Sequence, residues 1–243
     1  MNEKNNLIIP FSIVGGALII SVIIFAFVWK STRTAEQTIT VTGSAKKELI
    51  SDFAILRGTL STTSTDPKFA YQTLQRQMPV VVKYLEKKGF PENSINFYTI
   101  NRYPIYELNN MGYQTQNVSH YVCEQRIEIQ SNDVNKIKDL SLEISSLIEQ
   151  GIDFRVESPE YLYTNLDEIK VEIQAEAAAN AKMRAEKIAD ATGRSLGPLR
   201  NARMGVIQIT PLHSTMVSDY GFNDTGSIEK EITAVVSASF QID

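Results

Sequence analysis

His120 and His213 are the only two histidines in the chain of 243 residues, and Cys123 is its single thiol, so metal and nucleophilic chemistry have few side chains to draw on. A structural zinc takes four Cys or His ligands, and a hydrolytic zinc takes three plus a water. His120 sits in an alternating stretch beside Val122, His213 lies far along the chain, and neither has a second ligand at metal spacing. Cys123 keeps parity with Tyr121, Ile127 and Ile129, which marks a packed core thiol; a reactive one needs an electropositive, partly exposed setting. Glycosidic acid/base work needs two carboxylates at a set separation. Asp52, Glu124 and Glu128 fall in strand-like stretches, where carboxylates are ordinarily a solvated face. There is no glycine-rich phosphate loop, no G-x-S-x-G elbow and no Cys-x-x-Cys. The sequence assigns no catalytic residue, no cofactor and no metal ligand, and predicts that the protein is not an enzyme.

What remains is surface for partners. Residues 211–227 are rich in Ser, Gly and Asp and carry Met216, Tyr220 and Phe222, and loops of that length are usually functional or disordered. Tyr103, Tyr106 and Tyr113 cluster around a predicted hairpin tip. These six residues are the candidate oligomer interface, since aromatic side chains anchor interfaces at low entropic cost. Nucleic acid is a poor partner: removing Lys4, Lys30, Arg33 and Glu3 from the totals of 24 basic and 28 acidic residues leaves 21 against 27 over residues 34–243, with no basic block to neutralise phosphate.

The positioning elements are read from period and punctuation. Residues 38–42 alternate with Ile39 and Val41 inward, and Gly43-Ser44 predicts a break before a longer strand at 49–62. Asp66-Pro67 reads as an N-cap and first helical residue, opening a helix through Leu74, Met78, Val81, Val82 and Leu85 to Gly89, with Pro79 inside it. Strands at 94–108 and 113–130 flank Asn109-Asn110-Met111-Gly112, a turn that predicts a long hairpin. Residues 131–150 predict a second helix ending at Gly151, and 152–163 a strand interrupted by Pro159. In order from Leu49 this is β-α-β-β-α-β, the ferredoxin-like arrangement. A third helix at 166–192 carries the stripe Ile169, Ile173, Ala177, Ala181, Ala185 with Ile188 and Ala189, and strands at 199–210 and 228–242 follow. With residues 38–48 these make a second, β-α-β-β domain. The predicted fold class is therefore α+β, with domains at 49–163 and at 38–48 plus 164–243.

Before them lies an uncharged run of 23 residues from Leu7 to Trp29. As a helix it would rise about 35 Å, against a hydrocarbon core of about 30 Å. Its end, Phe25-Ala26-Phe27-Val28-Trp29-Lys30, lacks the small residues of a signal-peptidase site. Residues 1–33 are thus predicted to be an uncleaved transmembrane anchor with short flanks, lodged in a lipid bilayer. Lys4 on one side and Lys30 with Arg33 on the other give no orientation bias.

Several segments in this order resemble the SIMPL-domain family of bacterial envelope proteins, a domain of unknown function. They are Thr40-Val41-Thr42-Gly43-Ser44-Ala45, the Asp52-Phe53-Ala54 strand start, Tyr103-Pro104-Ile105-Tyr106, and Gly112-Tyr113-Gln114-Thr115-Gln116-Asn117. The Ala-rich segment 176–185, Ala189 and Gly193-Arg194-Ser195-Leu196-Gly197 complete the set. The family often has Pro-Asp where this chain has Ser51-Asp52, a change confined to a turn. The resemblance implies an exported, envelope-facing protein that self-assembles into ring- or cage-like homo-oligomers, with links to stress tolerance and no established reaction, and it sets the large C-terminal part of the predicted single-pass protein outside the cytoplasm. A self-assembling scaffold is the favoured expectation. The alternatives are an accessory subunit of another membrane complex, and a small-molecule receptor or enzyme with an interdomain site.

Overall fold

The computed structural model describes the backbone at residues 5–35 and 37–242 and the side chains at residues 13–29 and 37–242. In chain order the elements are α1 (Asn5–Ala35), β1 (Thr38–Ile50), β2 (Phe53–Ser64), α2 (Pro67–Lys87), β3 (Ile95–Leu108), β4 (Gln114–Ser131), α3 (Val134–Glu143), β5 (Asp153–Val156), β6 (Glu160–Leu162), α4 (Leu166–Ala191), β7 (Leu196–Met204), β8 (Gln208–Pro211), β9 (Phe222–Asn223) and β10 (Glu229–Ile242). The helices and two sheets make a mixed α+β fold. The chain forms two compact units, one of Met1–Lys46, Glu168–Ile207 and Thr233–Asp243, the other of Lys47–Asp167 and Gln208–Ile232. Residues 208–232, expected within the C-terminal domain, therefore cluster with the ferredoxin-like part of the chain.

The predicted membrane anchor is corrected. Among the described residues no helix is long and apolar enough to cross a membrane, and the single-pass location and the bilayer partner drawn from residues 7–29 go with it. The side chains of residues 7–12 and the whole of 1–4 lie outside the described residues.

In the larger unit the sheet runs β3-β4-β2-β5, every neighbour antiparallel, with β6 also on β2. Alternation sorts its faces. Ala54, Leu56 and Leu60 of β2 and Cys123, Ile127 and Ile129 of β4 point to one side and bury themselves beneath α2 (Leu74, Met78, Val81, Leu85) and α3 (Val134, Ile137, Leu140). The intervening residues Arg57, Ser61, Glu124, Arg126 and Glu128 belong to the other, polar face. This is the ferredoxin-like order, in which two crossovers of one hand place both helices on one side.

Local signals set the helix ends. Asp66 is extended (φ −112°, ψ 122°) and its Oδ1 accepts from the Lys68 N–H at 2.8 Å, satisfying a donor that the first turn leaves unpaired. Asp66→Ala is expected to cost about 1 kcal/mol, read as a lower urea midpoint with unchanged slope. The second predicted helix is shorter than expected: α3 ends at Glu143, and Ile144–Gln150 continues as a 3-10 helix into Gly151 at φ 74°. The tighter winding keeps Ile144 and Leu147 in the core. Pro159 splits the predicted 152–163 strand into β5 and β6, since a proline removes a ladder donor.

In the smaller unit β10 is flanked by β1 and by an antiparallel β7, and α4 lies on this sheet through Ile169, Ile173, Ala177, Ala181, Ala185 and Ala189. The break predicted at Gly43 does not occur, for β1 runs unbroken through it. Gly43 is where the helix touches the strand: a Cβ there would lie 2.3 Å from both the Ala177 O and the Ala181 N. Arg184 donates to the Thr42 O at 2.8 Å and the Ser44 N–H to Asn180 Oδ1 at 3.2 Å, one on each side of the contact. The predicted 199–210 strand is likewise interrupted, with Gly205 donating to the Val235 O at 2.8 Å between β7 and β8.

Candidate functional site

The thiol and carboxylates that sequence reading offered for chemistry are engaged in structure. Cys123 is fully buried, and burial pushes its thiol up, away from the thiolate range. Asp52 accepts from the Thr164 N–H at 2.8 Å and its hydroxyl at 2.7 Å, tying the start of β2 to the chain beyond β6. On the open sheet face Arg57 bridges Glu128 at 2.8 Å and Glu160 at 2.6 Å, Arg155 meets Glu124 at 2.9 Å, and Arg126 meets Glu157 at 3.1 Å. Burial pushes Glu128 up, yet hydrogen bonds from Gln130 and Arg57 outweigh it and hold the carboxyl below its ordinary range. A carboxylate held ionised is a poor general acid. His120 lies on β4 with Nδ1 3.2 Å from the Ser119 hydroxyl, and His213 is exposed in a turn at φ 62°. Among the described residues no group of three or more His, Cys, Asp or Glu is placed to hold a metal ion.

The six partner candidates fall on two elements. Tyr103 and Tyr106 lie on β3 and Tyr113 just past the tip of the β3–β4 hairpin. Asn109 builds that tip: its Oδ1 accepts from the Met111 N–H at 2.9 Å and the Tyr113 N–H at 3.0 Å, while Gly112 takes φ 82°. All three tyrosines are exposed, Tyr113 at 69%, and Ile105, Leu108, Met111 and Val118 of the same hairpin are exposed too. Tyr103 faces the polar side with Val122 and Ile105; burial and the neighbouring Glu124 push its hydroxyl up, so it stays protonated. As β3 ends the sheet order, its outer backbone edge has no partner strand among the described residues. A long, apolar free edge is the kind of surface natural sheets otherwise blunt.

The other three lie between β8 and β10. Met216 is exposed and Tyr220 is 97% exposed, whereas Phe222 is half-buried in β9, where it pairs with Gln208 of β8. The segment is pinned by a residue that sequence reading passed over. Lys230 is 2% exposed, and its Nζ donates to the Tyr161 O at 2.8 Å and to the Asp224 O, with Asp224 Oδ2 at 3.6 Å. Asp224 in turn accepts from the Gly226 N–H at 3.0 Å and the Ser227 N–H at 3.1 Å. Burial pushes the ammonium down, against the pull of Asp224. The signal for Lys230 was present, because it shares parity with the inward Ile232, Ala234 and Val236.

Comparison with known families finds a match over residues 39–240 to the model described as SIMPL, protein of unknown function (DUF541). No curated protein matches the chain.

Proposed function

Because this chain belongs to the SIMPL family, matched along most of its length, we propose that it is a non-enzymatic building block that assembles with copies of itself through the β3–β4 hairpin to form an oligomeric scaffold. The observation that carries this reading is the hairpin: Tyr103, Ile105, Tyr106, Leu108, Met111 and Tyr113 are all exposed on one two-stranded arm whose β3 edge is open. Contiguous exposed apolar surface marks interaction sites, and tyrosines in such a patch supply the large, rigid contacts that dominate interface energetics. The engagement of Glu124, Glu128 and Asp52 in ion pairs and turn hydrogen bonds supports a structural rather than a catalytic use of the sheet.

The triple substitution Tyr103→Ser, Tyr106→Ser, Tyr113→Ser tests it. Exposed positions cost little folding energy, so circular dichroism and thermal unfolding should stay near wild type. Three lost anchors should weaken association by at least about 100-fold, seen by sedimentation velocity as a shift from a large species to the monomer. A wild-type chain that sediments as a monomer, or a triple variant of wild-type size, overturns the reading.

A further inference from the structure

The smaller unit leaves part of its own sheet uncovered. One helix is about 10 Å wide and neighbouring strands lie about 4.8 Å apart, so α4 cannot roof three strands. The backbone contact at Gly43 holds it over β1. The consequence is a groove of about 800 Å³ between the Ala178–Lys182–Glu186 flank of α4 and β7, floored by Val236, Ala238 and Phe240. Leu199 of β7 lines it and is 53% exposed. Beyond the groove, the outer edge of β7 has no strand partner among the described residues.

We propose that this groove receives the β3–β4 hairpin of a second copy of the chain, so that each copy is both donor and acceptor. The inference rests on the self-assembly reading above and names the surface the hairpin docks on. Surface chemistry fits, an arm of exposed apolar side chains against a groove lined mainly by apolar ones. Charge fits as well: β7 carries Arg200 and Arg203 and no acidic residue, while residues 105–118 of the hairpin carry Glu107 and no basic one. Two β7 edges set against each other would oppose their own arginines, and like charges across a strand pair are destabilising. Pro104 in β3 and Pro198 in β7 each remove a ladder donor, which restricts edge pairing to the stretches beyond them. Because donor and acceptor are different surfaces, the contact is head-to-tail, the type that propagates into rings or filaments rather than stopping at a dimer.

Mixing two defective full-length variants decides the matter. Tyr106→Ser with Leu108→Ser removes the donor and leaves the groove; Leu199→Asp with Ala202→Glu spoils the groove and leaves the donor. Each alone should sediment as a monomer, and an equal mixture should give a one-to-one heterodimer and nothing larger. If the groove variant assembles at wild-type size, the groove is not the acceptor and this inference falls while the hairpin reading stands. Two monomeric variants that fail to pair on mixing also overturn it. A donor variant of wild-type size overturns the hairpin reading itself. Charge reversal covers the case of a groove variant that does not fold: Glu107→Arg should weaken assembly about tenfold or more, and adding Arg203→Glu should restore it. No rescue counts against the docking.

Discussion

Gly43→Ala is expected to destabilise the smaller unit by about 3 kcal/mol, the upper end of the usual cost of overpacking. The added methyl would sit 2.3 Å from the Ala177 O and the Ala181 N and 2.7 Å from the Ala181 Cα. These are helix backbone atoms, which no rotamer change can move aside. The helix must lift from β1, and lifting it loosens the burial of Ala177, Ala181 and Ala185, side chains that contribute only through close approach. Ala181→Leu should act in the same direction from the helix side. Urea denaturation followed by circular dichroism is the measurement. A Gly43→Ala variant within about 0.5 kcal/mol of wild type would mean that α4 does not rest on this strand.

Lys230→Met should be nearly as costly, about 3 kcal/mol, because it strips the donor from the buried Tyr161 carbonyl and the partly buried Asp224 carbonyl and leaves the Asp224 carboxylate without its cation. The loss should be local in its first effect, with faster amide exchange at Gly226 and Ser227, whose N–H groups Asp224 holds. A pH signature separates this lysine from a surface one. Burial first, only partly offset by Asp224, puts its folded-state pKa below the ordinary lysine value. The unfolded chain then binds the proton more tightly than the folded one, so stability should rise with pH between the folded-state pKa and about 10.4. Lys230→Met should abolish that rise, and a wild-type profile flat over this window would show the ammonium to be well solvated.

Much of the larger unit was legible from residue pattern alone because its signals are local. Period-two runs in β2 and β4, the Asp66-Pro67 cap, the Asn109–Gly112 turn and Gly151 each act within a few residues. The misreadings have a common cause as well. Gly43 was taken as a strand break because glycine usually punctuates, whereas its partner is a helix more than a hundred residues away. Phe222 was expected in a long loop, but lies in the short strand β9 and pairs in parallel with Gln208 of β8, a contact that no local pattern announces. The anchor read from residues 7–29 relied on an unbroken apolar count, and among the described residues no helix is long and apolar enough to cross a membrane.

The sequence by itself determined the α+β alternation, the two-helix ferredoxin-like order and the family, since these depend on periodicity, capping and segment order along the chain. It also placed tyrosines near a hairpin tip. Only the tertiary structure decided that those tyrosines stand exposed on an arm with an open edge, that Lys230 is buried beneath the 211–227 segment it pins, and that β7 is left unroofed beside α4. Exposure and cavities depend on which distant elements cover one another. That coverage is set here by backbone contacts such as Gly43 with Ala177, which hydrophobic pattern does not encode.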